Sequence, residues 1–252
     1  MGGSLSIEFV GHATVLVAID TVRLLTDPAL QPTIGPLRRT GGMPVPVPAD
    51  VDAVLISHLH LDHLDLPSLD RLGRDRRMVV PRGAAAWLRT RGFADVEELG
   101  PGETTSVGGV RVRAVRARHG GFRPPVGPAA AAIGYVIEGS RSIYFAGDTG
   151  LFDGMAELRG SIDVALLPVG GWGPTLPSAR HLDPADAARA AELIRPRVSV
   201  PIHWGTYWPM GFRWFRRWAR HGAPARFIRA ASELAPDAMI RATDIGAEVD
   251  LR

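Results

Sequence analysis

Four short, strand-like segments of this chain are each followed by a histidine or an aspartate, and this pattern limits the folds that the sequence can adopt. The segments are "DAVLIS" before His58, "VRVRAVRAR" before His119, "SIYFAG" before Asp148 and "VSVPI" before His203. Apolar runs of this length, rich in β-branched residues, are typical of buried strands. Since sheet proteins carry functional residues where strands pass into loops, we expect these four strand ends to form one site.

The rest of the chain predicts more strands, with helices between them. "LSIEFVG", "TVLVAI" and "VRLLTD" predict a meander, followed by a Pro/Gly-rich loop from Pro28 to Pro48. Helices are predicted at "LPSLDRL", at "AAAWLRTRG" and most clearly at "DPADAARAAELIRP", where Asp183 caps the helix and Pro184 lies in its first turn. "AEVDL" predicts a final short strand. Without a repeat or linker to mark a boundary, we expect one α/β domain over residues 1–252 with a layered sheet core.

The amino-acid composition limits the kinds of metal site and of partner that the chain can have. The chain has no cysteine, which excludes disulfides and thiolate ligands, so a metal site must use nitrogen and oxygen. Its formal net charge is only +3 and all of its basic residues are arginine, so the charge does not predict a nucleic-acid partner. The apolar run "ATVLVAI" is too short to cross a bilayer. We therefore expect no transmembrane segment and a cytoplasmic location, and the oligomeric state stays open.

The stretch "HLHLDH", from His58 to His63, holds four candidate metal ligands in six positions. On an extended segment His58 and His60 point the same way and can bind one cation, while Asp62 and His63 on the following turn can reach a second. Neutral imidazole and carboxylate suit divalent zinc, manganese and iron. A lone histidine at a strand end is usually structural, but four candidates together favour a metal site.

These motifs resemble those of the metallo-β-lactamase-fold hydrolases. The resemblance is carried by "HLHLDH", His119, the "GDTG" that contains Asp148, and His203, and it runs from about Ile7 to the C-terminal strand. "GHATVLV", "LLTDP", "IGPLRR", "VDAVLISHLHLDHLDLPSL" and "HWGTY" are most similar to the branch with N-acyl-phosphatidylethanolamine phospholipase D and L-ascorbate 6-phosphate lactonase. The resemblance implies a four-layer αβ/βα sandwich with the site at one edge, between two sheets.

The resemblance also implies a ligand set for two divalent metal ions, zinc or manganese first, with iron also compatible. One ion would be held by His58, His60 and His119, the other by Asp62, His63 and His203, with Asp148 bridging. Two adjacent cations repel, and a shared carboxylate with a bridging hydroxide offsets that repulsion and supplies a nucleophile. The expected protein is therefore a dinuclear metal-dependent hydrolase.

Asp148 and the missing lysine argue against antibiotic hydrolysis. True β-lactamases commonly have cysteine at the matching place, and this chain has no lysine to hold a β-lactam carboxylate. Phosphodiester cleavage of the phospholipase D kind is the preferred prediction. Lactone or other carboxylic ester hydrolysis uses the same ligands and is the alternative, and a non-catalytic metal-binding protein of the same fold is a third reading.

Further residues are expected around the metals. Besides Asp62, the catalytic prediction includes His181 in "SARHLDP", which corresponds to a histidine near the site in the phospholipase D-like branch and would be a general acid or an oxyanion donor. His12, Asp27 and Asp65 are candidates for orienting the ligand histidines, with turn stabilisation as the alternative.

The substrate is expected to be a small molecule or a lipid. Candidate substrate-binding residues are the arginines Arg38 and Arg123, which could hold a phosphate or carboxylate, and the aromatic residues Trp172 and Tyr207. The segment "FRWFRRWARHG", residues 212–222, predicts a helix that packs its aromatic residues on the core. A helix on a membrane surface would have the same pattern, so peripheral membrane contact stays open.

Overall fold

The computed structural model describes residues 4–40, 50–170, 178–211 and 222–251. The strands are β1 Leu5–Gly11, β2 Thr14–Ile19, β3 Val22–Thr26, β4 Thr33–Ile34, β5 Leu37–Arg39, β6 Ala53–Leu55, β7 Met78–Pro81, β8 Val96–Leu99, β9 Thr104–Val107, β10 Val110–Arg116, β11 Ile133–Glu138, β12 Ser142–Phe145, β13 Val164–Pro168, β14 Val198–Ile202, β15 Tyr207–Pro209, β16 Met239–Ile240 and β17 Ala247–Glu248. The helices are α1 Leu66–Leu72, α2 Ala85–Arg89, α3 Pro184–Ile194 and α4 Gly222–Leu234, with 3₁₀ helices at Asp153–Leu158 and Ser178–Arg180.

Two seven-stranded sheets are built on the same plan. The first has the order β17-β1-β2-β3-β6-β7-β8 and the second the order β16-β14-β13-β12-β11-β10-β9. In the first, β17, β1, β2 and β3 pair antiparallel, and β3, β6, β7 and β8 pair parallel. In the second, the antiparallel half is β9 to β12 and the parallel half continues through β13, β14 and β16.

The sheets pack face to face and each carries helices on its outer face. Alternate residues of one strand divide between layers: on β2, Val15 and Val17 join the core between the sheets, while Leu16 joins the core under α1 and α2. A third buried cluster joins α3 and α4 to the outer face of the second sheet. The period-two pattern of a strand buried on both faces produces this arrangement. The predicted four-layer αβ/βα sandwich is confirmed.

The clearest predicted helix, α3, begins where its sequence signals place it. The Asp183 carboxylate accepts hydrogen bonds from the backbone N–H groups of Ala185 and Asp186, each at 2.8 Å, and Pro184 is the first helical residue. These bonds satisfy donors that the first turn of a helix leaves without partners. The helix ends at Ile194 and is followed by Arg195, whose φ of 52° lies in the left-handed region.

The prediction of a Pro/Gly-rich loop from Pro28 to Pro48 was wrong for part of its described residues, 28–40. Strands β4 and β5 lie within it and form a small third sheet with β15, in the order β15-β5-β4. In the register of this sheet Arg39 faces Tyr207, so the partner strand lies far away along the chain and local pattern could not indicate it.

Two sequence predictions lie partly or wholly outside the described residues. These are the helix over residues 212–222, of which only residue 222 is described, and the site residue Trp172. None of the described helices has the length and apolar composition that crossing a bilayer requires.

Candidate metal centre

The four expected strand ends meet at one edge of the sandwich, between the two sheets. His58 comes just after β6 of the first sheet, while His119, Asp148 and His203 follow β10, β12 and β14 of the second. Four overlapping groups of candidate ligands form there among the described residues. The first group consists of His58, His60 and His119, and the second of His12, Asp62, His63 and His203; the other two share these histidines with Asp27 or with Asp148 and His181. The site therefore depends on the packing of the two sheets against each other.

In the first group, three imidazole nitrogens converge on one point. His60 Nδ1 lies 3.0 Å from His58 Nε2 and 3.1 Å from His119 Nε2. His119 Nδ1 donates to the Arg180 carbonyl oxygen at 2.8 Å, which turns Nε2 of the ring towards the other two histidines. Burial is the main cause that lowers the pKa of His60 to about 4, which keeps it in the neutral form that binds metals.

The convergence of three imidazole nitrogens on one point indicates a cation-binding site. Lone pairs aimed at one point repel unless a positive charge lies between them. Nitrogens bound to a tetrahedral zinc at about 2.1 Å lie roughly 3.4 Å apart, close to the spacing seen here. His58 is held from outside the cluster, since its Nδ1 lies 3.0 Å from Ser57 Oγ.

The second group adds a carboxylate. His63 Nε2 lies 3.3 Å from His203 Nε2 and 3.9 Å from Asp62 Oδ2. His12 Nε2 lies 3.0 Å from Asp62 Oδ2, so the His12 ring contacts the candidate carboxylate ligand directly. Burial is the main cause that lowers the pKa of His203 to about 3, so this imidazole is also neutral.

His12 also connects distant parts of the backbone. Its carbonyl oxygen accepts from the His203 N–H at 2.7 Å, and its own N–H donates to Thr206 Oγ1 at 2.6 Å. Both His12 and His203 have a φ of 58°, in the left-handed region that most side chains avoid. The turn after Gly11 and the end of β14 are thereby fixed to each other beside the second group.

Asp148 lies between the two groups. Its Oδ1 is 3.3 Å from His203 Nε2, and its Oδ2 is 3.5 Å from His63 Nε2 and 4.0 Å from His119 Nε2. Burial opposes ionisation, but the imidazoles of His203 and His63 hold the pKa of Asp148 well below its usual range. The chain thus places one ionised carboxylate within reach of both groups.

Asp27 forms buried hydrogen bonds to residues of the candidate metal centre. Its Oδ2 accepts from His63 Nδ1 at 2.7 Å and from Ser57 Oγ at 2.5 Å, and its Oδ1 accepts from the Ser57 N–H at 2.7 Å. Burial works against a charged His63, yet the carboxylates of Asp148, Asp62 and Asp27 raise its pKa well above the usual value. Three carboxylates close to one imidazole create a negative potential that would stabilise a bound cation.

His181 reaches the centre from the loop before α3. Its Nδ1 lies 3.6 Å from Asp148 Oδ2, and its ring meets that of His119 edge to face with centroids 4.6 Å apart. Burial is the main cause that lowers the pKa of His181. The side chain is 14% exposed, so it borders the site on the side that solvent can reach.

Two candidate residues lie where they cannot have the role expected of them. The Asp65 carboxylate accepts from Ser68 N at 3.0 Å and from Ser68 Oγ, so it caps α1 and does not orient a ligand histidine. Arg123 is only 6% exposed, and its Nη1 donates to the carbonyl oxygens of Leu59, His60 and Leu64. Its guanidinium is therefore occupied in holding the backbone of the histidine motif, not open to substrate.

The remaining substrate candidates differ in placement. Arg38 is exposed on β5. Tyr207 donates its hydroxyl to the carbonyl oxygens of Ala29 and Gln31, while its ring lies edge to face with His12 at 5.3 Å. Only the face and edge of this ring, and not its hydroxyl, can contribute to the wall of the site.

Two contributors to the centre were not found from the sequence. Ser57 links Asp27 to His58, and the Arg180 carbonyl fixes the His119 ring. The serine directly precedes the histidine motif, which is the one local sign of its role. A backbone carbonyl carries no residue-type signal at all, because any residue at position 180 would offer it.

Comparison with known proteins agrees with this geometry. Residues 22–204 match the family model described as "Beta-lactamase superfamily domain". A UPF0173 metal-dependent hydrolase of Methanopyrus kandleri is 35% identical over 213 residues, covering 81% of this chain and 86% of the relative. N-acyl-phosphatidylethanolamine-hydrolyzing phospholipase D 1 of Caenorhabditis elegans is 33% identical over 229 residues, covering 81% of this chain but only 64% of that longer protein.

Among solved structures, Igni18, a metallo hydrolase from the archaeon Ignicoccus hospitalis, superposes with a TM-score of 0.74. The alignment covers 97% of both chains at 23% sequence identity, so this likeness concerns the fold. Together with the family match and the two seven-stranded sheets, it shows that the chain belongs to the beta-lactamase superfamily and has the metallo-β-lactamase fold.

Proposed function

We propose that this protein, as a single domain over residues 1–252, is a dinuclear metal-dependent hydrolase that cleaves phosphodiesters. The observation that carries the proposal is the position of Asp148, whose carboxylate lies within 4.0 Å of His203 and His63 in the second group and of His119 in the first. A carboxylate between two groups of ligands is what two neighbouring cations require, since it lessens their mutual repulsion.

The chemistry of the donor atoms fits divalent zinc or manganese, and iron is compatible with the same set. One ion would be held by His58, His60 and His119 and the other by Asp62, His63 and His203, with Asp148 shared between them. When bound, such ions supply Lewis acidity and a nucleophile derived from water at neutral pH.

The chain's own residues hold and orient these groups. Asp27 keeps the Nδ1 proton of His63 pointing away from the centre, and the Arg180 carbonyl does the same for His119. Hydrogen bonds of this kind fix the tautomer and the ring orientation of a ligand histidine. His12 holds Asp62 in place through the contact at 3.0 Å.

His181 is the candidate for handling the leaving group. Its ring is adjacent to Asp148 and His119 and is partly exposed, so a leaving oxygen in the site could receive a hydrogen bond or a proton from it. This role uses the position of the ring beside the ligands and requires no movement of the main chain.

A phosphodiester or lipid substrate is supported by the relative from Caenorhabditis elegans, whose name describes phospholipase D activity. That protein extends well beyond the region shared with this chain, so the substrate is a proposal for this protein. The proposal includes a cytoplasmic location and a small-molecule or lipid partner. A lactone or another carboxylic ester could be attacked in the same centre.

The test combines metal content with a substrate panel. Purified protein is loaded with zinc or manganese, dialysed and subjected to elemental analysis, then assayed on bis(4-nitrophenyl) phosphate, 4-nitrophenyl phosphate, a lactone and a phospholipid. We expect about two metal ions per chain, preference for the diester, and loss of both activity and metal in Asp148→Ala. Asp153→Ala, which changes an exposed carboxylate elsewhere, is the matched control.

Each other outcome has a defined meaning. A preference for the lactone would move the assignment to the lactonase alternative. Two bound ions without turnover of any compound would support a non-catalytic metal-binding protein. Failure to retain metal from a metal-replete buffer would overturn the dinuclear proposal.

A further inference from the structure

One arginine at the edge of the site has a position that the sequence did not indicate. Arg180 lies in the 3₁₀ helix Ser178–Arg180, directly before His181. Its carbonyl oxygen accepts the His119 Nδ1 proton at 2.8 Å, so its main chain is fixed against a candidate ligand. Its side chain is exposed.

Two glycines make room for this segment. A β-carbon on Gly150 would lie 2.2 Å from the Ala179 carbonyl oxygen and 3.1 Å from the Arg180 nitrogen, so only glycine permits this close packing after Asp148. A β-carbon on Gly120 would lie 3.6 Å from Arg180 Nη1, so the guanidinium lies over the backbone that directly follows His119. The segment is thereby held between two loops that carry candidate ligands.

Among the described residues, the Arg180 guanidinium has no acidic partner within ion-pair distance. Within the described part of the chain, no carboxylate lies within 4.0 Å of the Arg180 guanidinium nitrogens. Arg74, Arg77, Arg82 and Arg111 on other surfaces are paired with carboxylates. Among the described residues Arg229 also lacks such a pair, so what distinguishes Arg180 is its position over the backbone that follows His119. A planar, permanently charged fork beside a metal-type cluster is suited to an anionic oxygen.

We propose that Arg180 is a specificity-determining residue that binds a non-bridging anionic oxygen of the phosphodiester. This inference rests on the proposed function and deepens it by assigning the residue that distinguishes an anionic diester from a neutral ester. The fixed main chain supplies the position, and the free guanidinium supplies the charge and the two parallel N–H donors. Arg180 would take the role that the sequence assigned to Arg123, whose guanidinium instead binds backbone carbonyl oxygens.

The test compares Arg180→Ala and Arg180→Lys with the wild type, each loaded with the same metal. Arg229→Ala is the matched control, because Arg229 is an exposed arginine on α4, the helix on the outer face of the second sheet. The measurements are metal content, KM and kcat for bis(4-nitrophenyl) phosphate and for neutral 4-nitrophenyl acetate, and the calorimetric Kd of inorganic phosphate.

We expect Arg180→Ala to keep its metal and to raise both the diester KM and the phosphate Kd about tenfold or more, as loss of a charge-assisted hydrogen bond does. Arg180→Lys should give an intermediate effect, since it keeps the charge but loses the fork. The KM for the neutral ester should stay within about twofold.

Unchanged phosphate affinity and diester KM in Arg180→Ala would overturn the inference while leaving the proposed hydrolase intact. Loss of metal in Arg180→Ala would also overturn it, because the side chain would then act on the metal centre itself. If the wild type hydrolyses no diester, the proposed function fails, and the phosphate Kd of the variants still decides whether Arg180 binds an anionic oxygen.

Discussion

Asp27 Oδ2 lies 2.7 Å from His63 Nδ1, and both side chains are completely buried. The same carboxylate binds both polar groups of Ser57, which in turn contacts His58. One acidic residue, directly after β3 of the first sheet, therefore contacts His63 of the second candidate group and, through Ser57, His58 of the first. Through these hydrogen bonds, Asp27 supports the candidate metal centre as a whole.

Replacing Asp27 is expected to weaken metal binding. Asp27→Asn keeps the size of the side chain but loses the charge that the His63 and Ser57 donors face, so metal affinity should fall about 10- to 100-fold. Competition with a chromophoric chelator measures this affinity. Asp153→Asn, at an exposed position, should leave it unchanged, and equal affinity in Asp27→Asn and wild type would show that the buried hydrogen bonds do not orient the ligands.

Arg123 is expected to stabilise the fold. Arg123→Met removes three hydrogen bonds to the carbonyl oxygens of Leu59, His60 and Leu64 and leaves those carbonyls buried, which should lower the free energy of unfolding by about 2–4 kcal/mol. Urea unfolding of the metal-free protein measures the change. Arg116→Met, at an exposed position on β10, should change it by no more than about 0.5 kcal/mol. Equal losses in the two variants would contradict the role of Arg123.

Metal removal is expected to lower the melting temperature. Ions present at about a thousandfold excess over Kd contribute about 4 kcal/mol to the folded state, which corresponds to roughly 8–16 °C in Tm for a chain of this size. Calorimetry before and after chelation measures the shift. In His203→Ala the shift should shrink, because one ligand of the second group is missing. A Tm that does not respond to chelation in wild type would count against resident metal ions.

Gly150 is expected to be sensitive to a single added methyl group. Gly150→Ala places a β-carbon against the Ala179 carbonyl oxygen, so the segment with Arg180 and His181 must move, and kcat should fall about tenfold or more with about 1–3 kcal/mol lost in stability. Gly109→Ala is the control, because a β-carbon there meets no atom within 4 Å. Wild-type kcat in Gly150→Ala would show that the position of this segment does not matter.

The hydrogen bonds of Asp20 are expected to make the free energy of unfolding depend on pH. Its Oδ2 accepts from the Ser140 N–H at 2.9 Å, joining the turn after β2 to the turn after β11, and the hydrogen bonds from Ser140 lower the pKa of Asp20. The ionised form therefore stabilises the fold above the unfolded-state pKa of about 4, and this contribution disappears as the pH falls through the lower folded-state pKa.

The difference in urea midpoint between wild type and Asp20→Asn should consequently be larger at pH 6 than at pH 3. Asparagine tolerates the φ of 55° at this position, so backbone strain does not contribute to the difference in urea midpoint between the variant and the wild type. Asp237→Asn, at an exposed site, provides the control. A difference of the same size at both pH values would contradict a role for the charge.

The parts of the protein that the sequence predicted are those with local signals. Apolar strands ending in His58, His119, Asp148 and His203 indicated both the sheets and the edge where they meet. The cap at Asp183 likewise defined the start of α3. Each of these features is carried by residue type and spacing over a few positions, so one sequence is enough to find it.

The parts that could not be predicted depend on contacts between distant residues. Arg123 is one arginine among 29, and only the folded chain shows that it meets the carbonyl groups around His60. Strand β5 needs β15 as its partner, and Arg180 reaches the site because Gly150 lets its backbone approach. Such roles follow from the packing of the chain, and residue type alone does not encode them.

The contact between His12 and His203 affects the order in which the protein can mature. The second group unites a turn near the start of the sequence with the end of a late strand, through the backbone bond at 2.7 Å. Because a ribosome delivers the chain from the N-terminus, the emerging "HLHLDH" segment cannot acquire its full set of ligands until residue 203 has left the exit tunnel. Loading of the two ions proposed for this site would therefore be a late event in biosynthesis, tied to closure of the second sheet on the first.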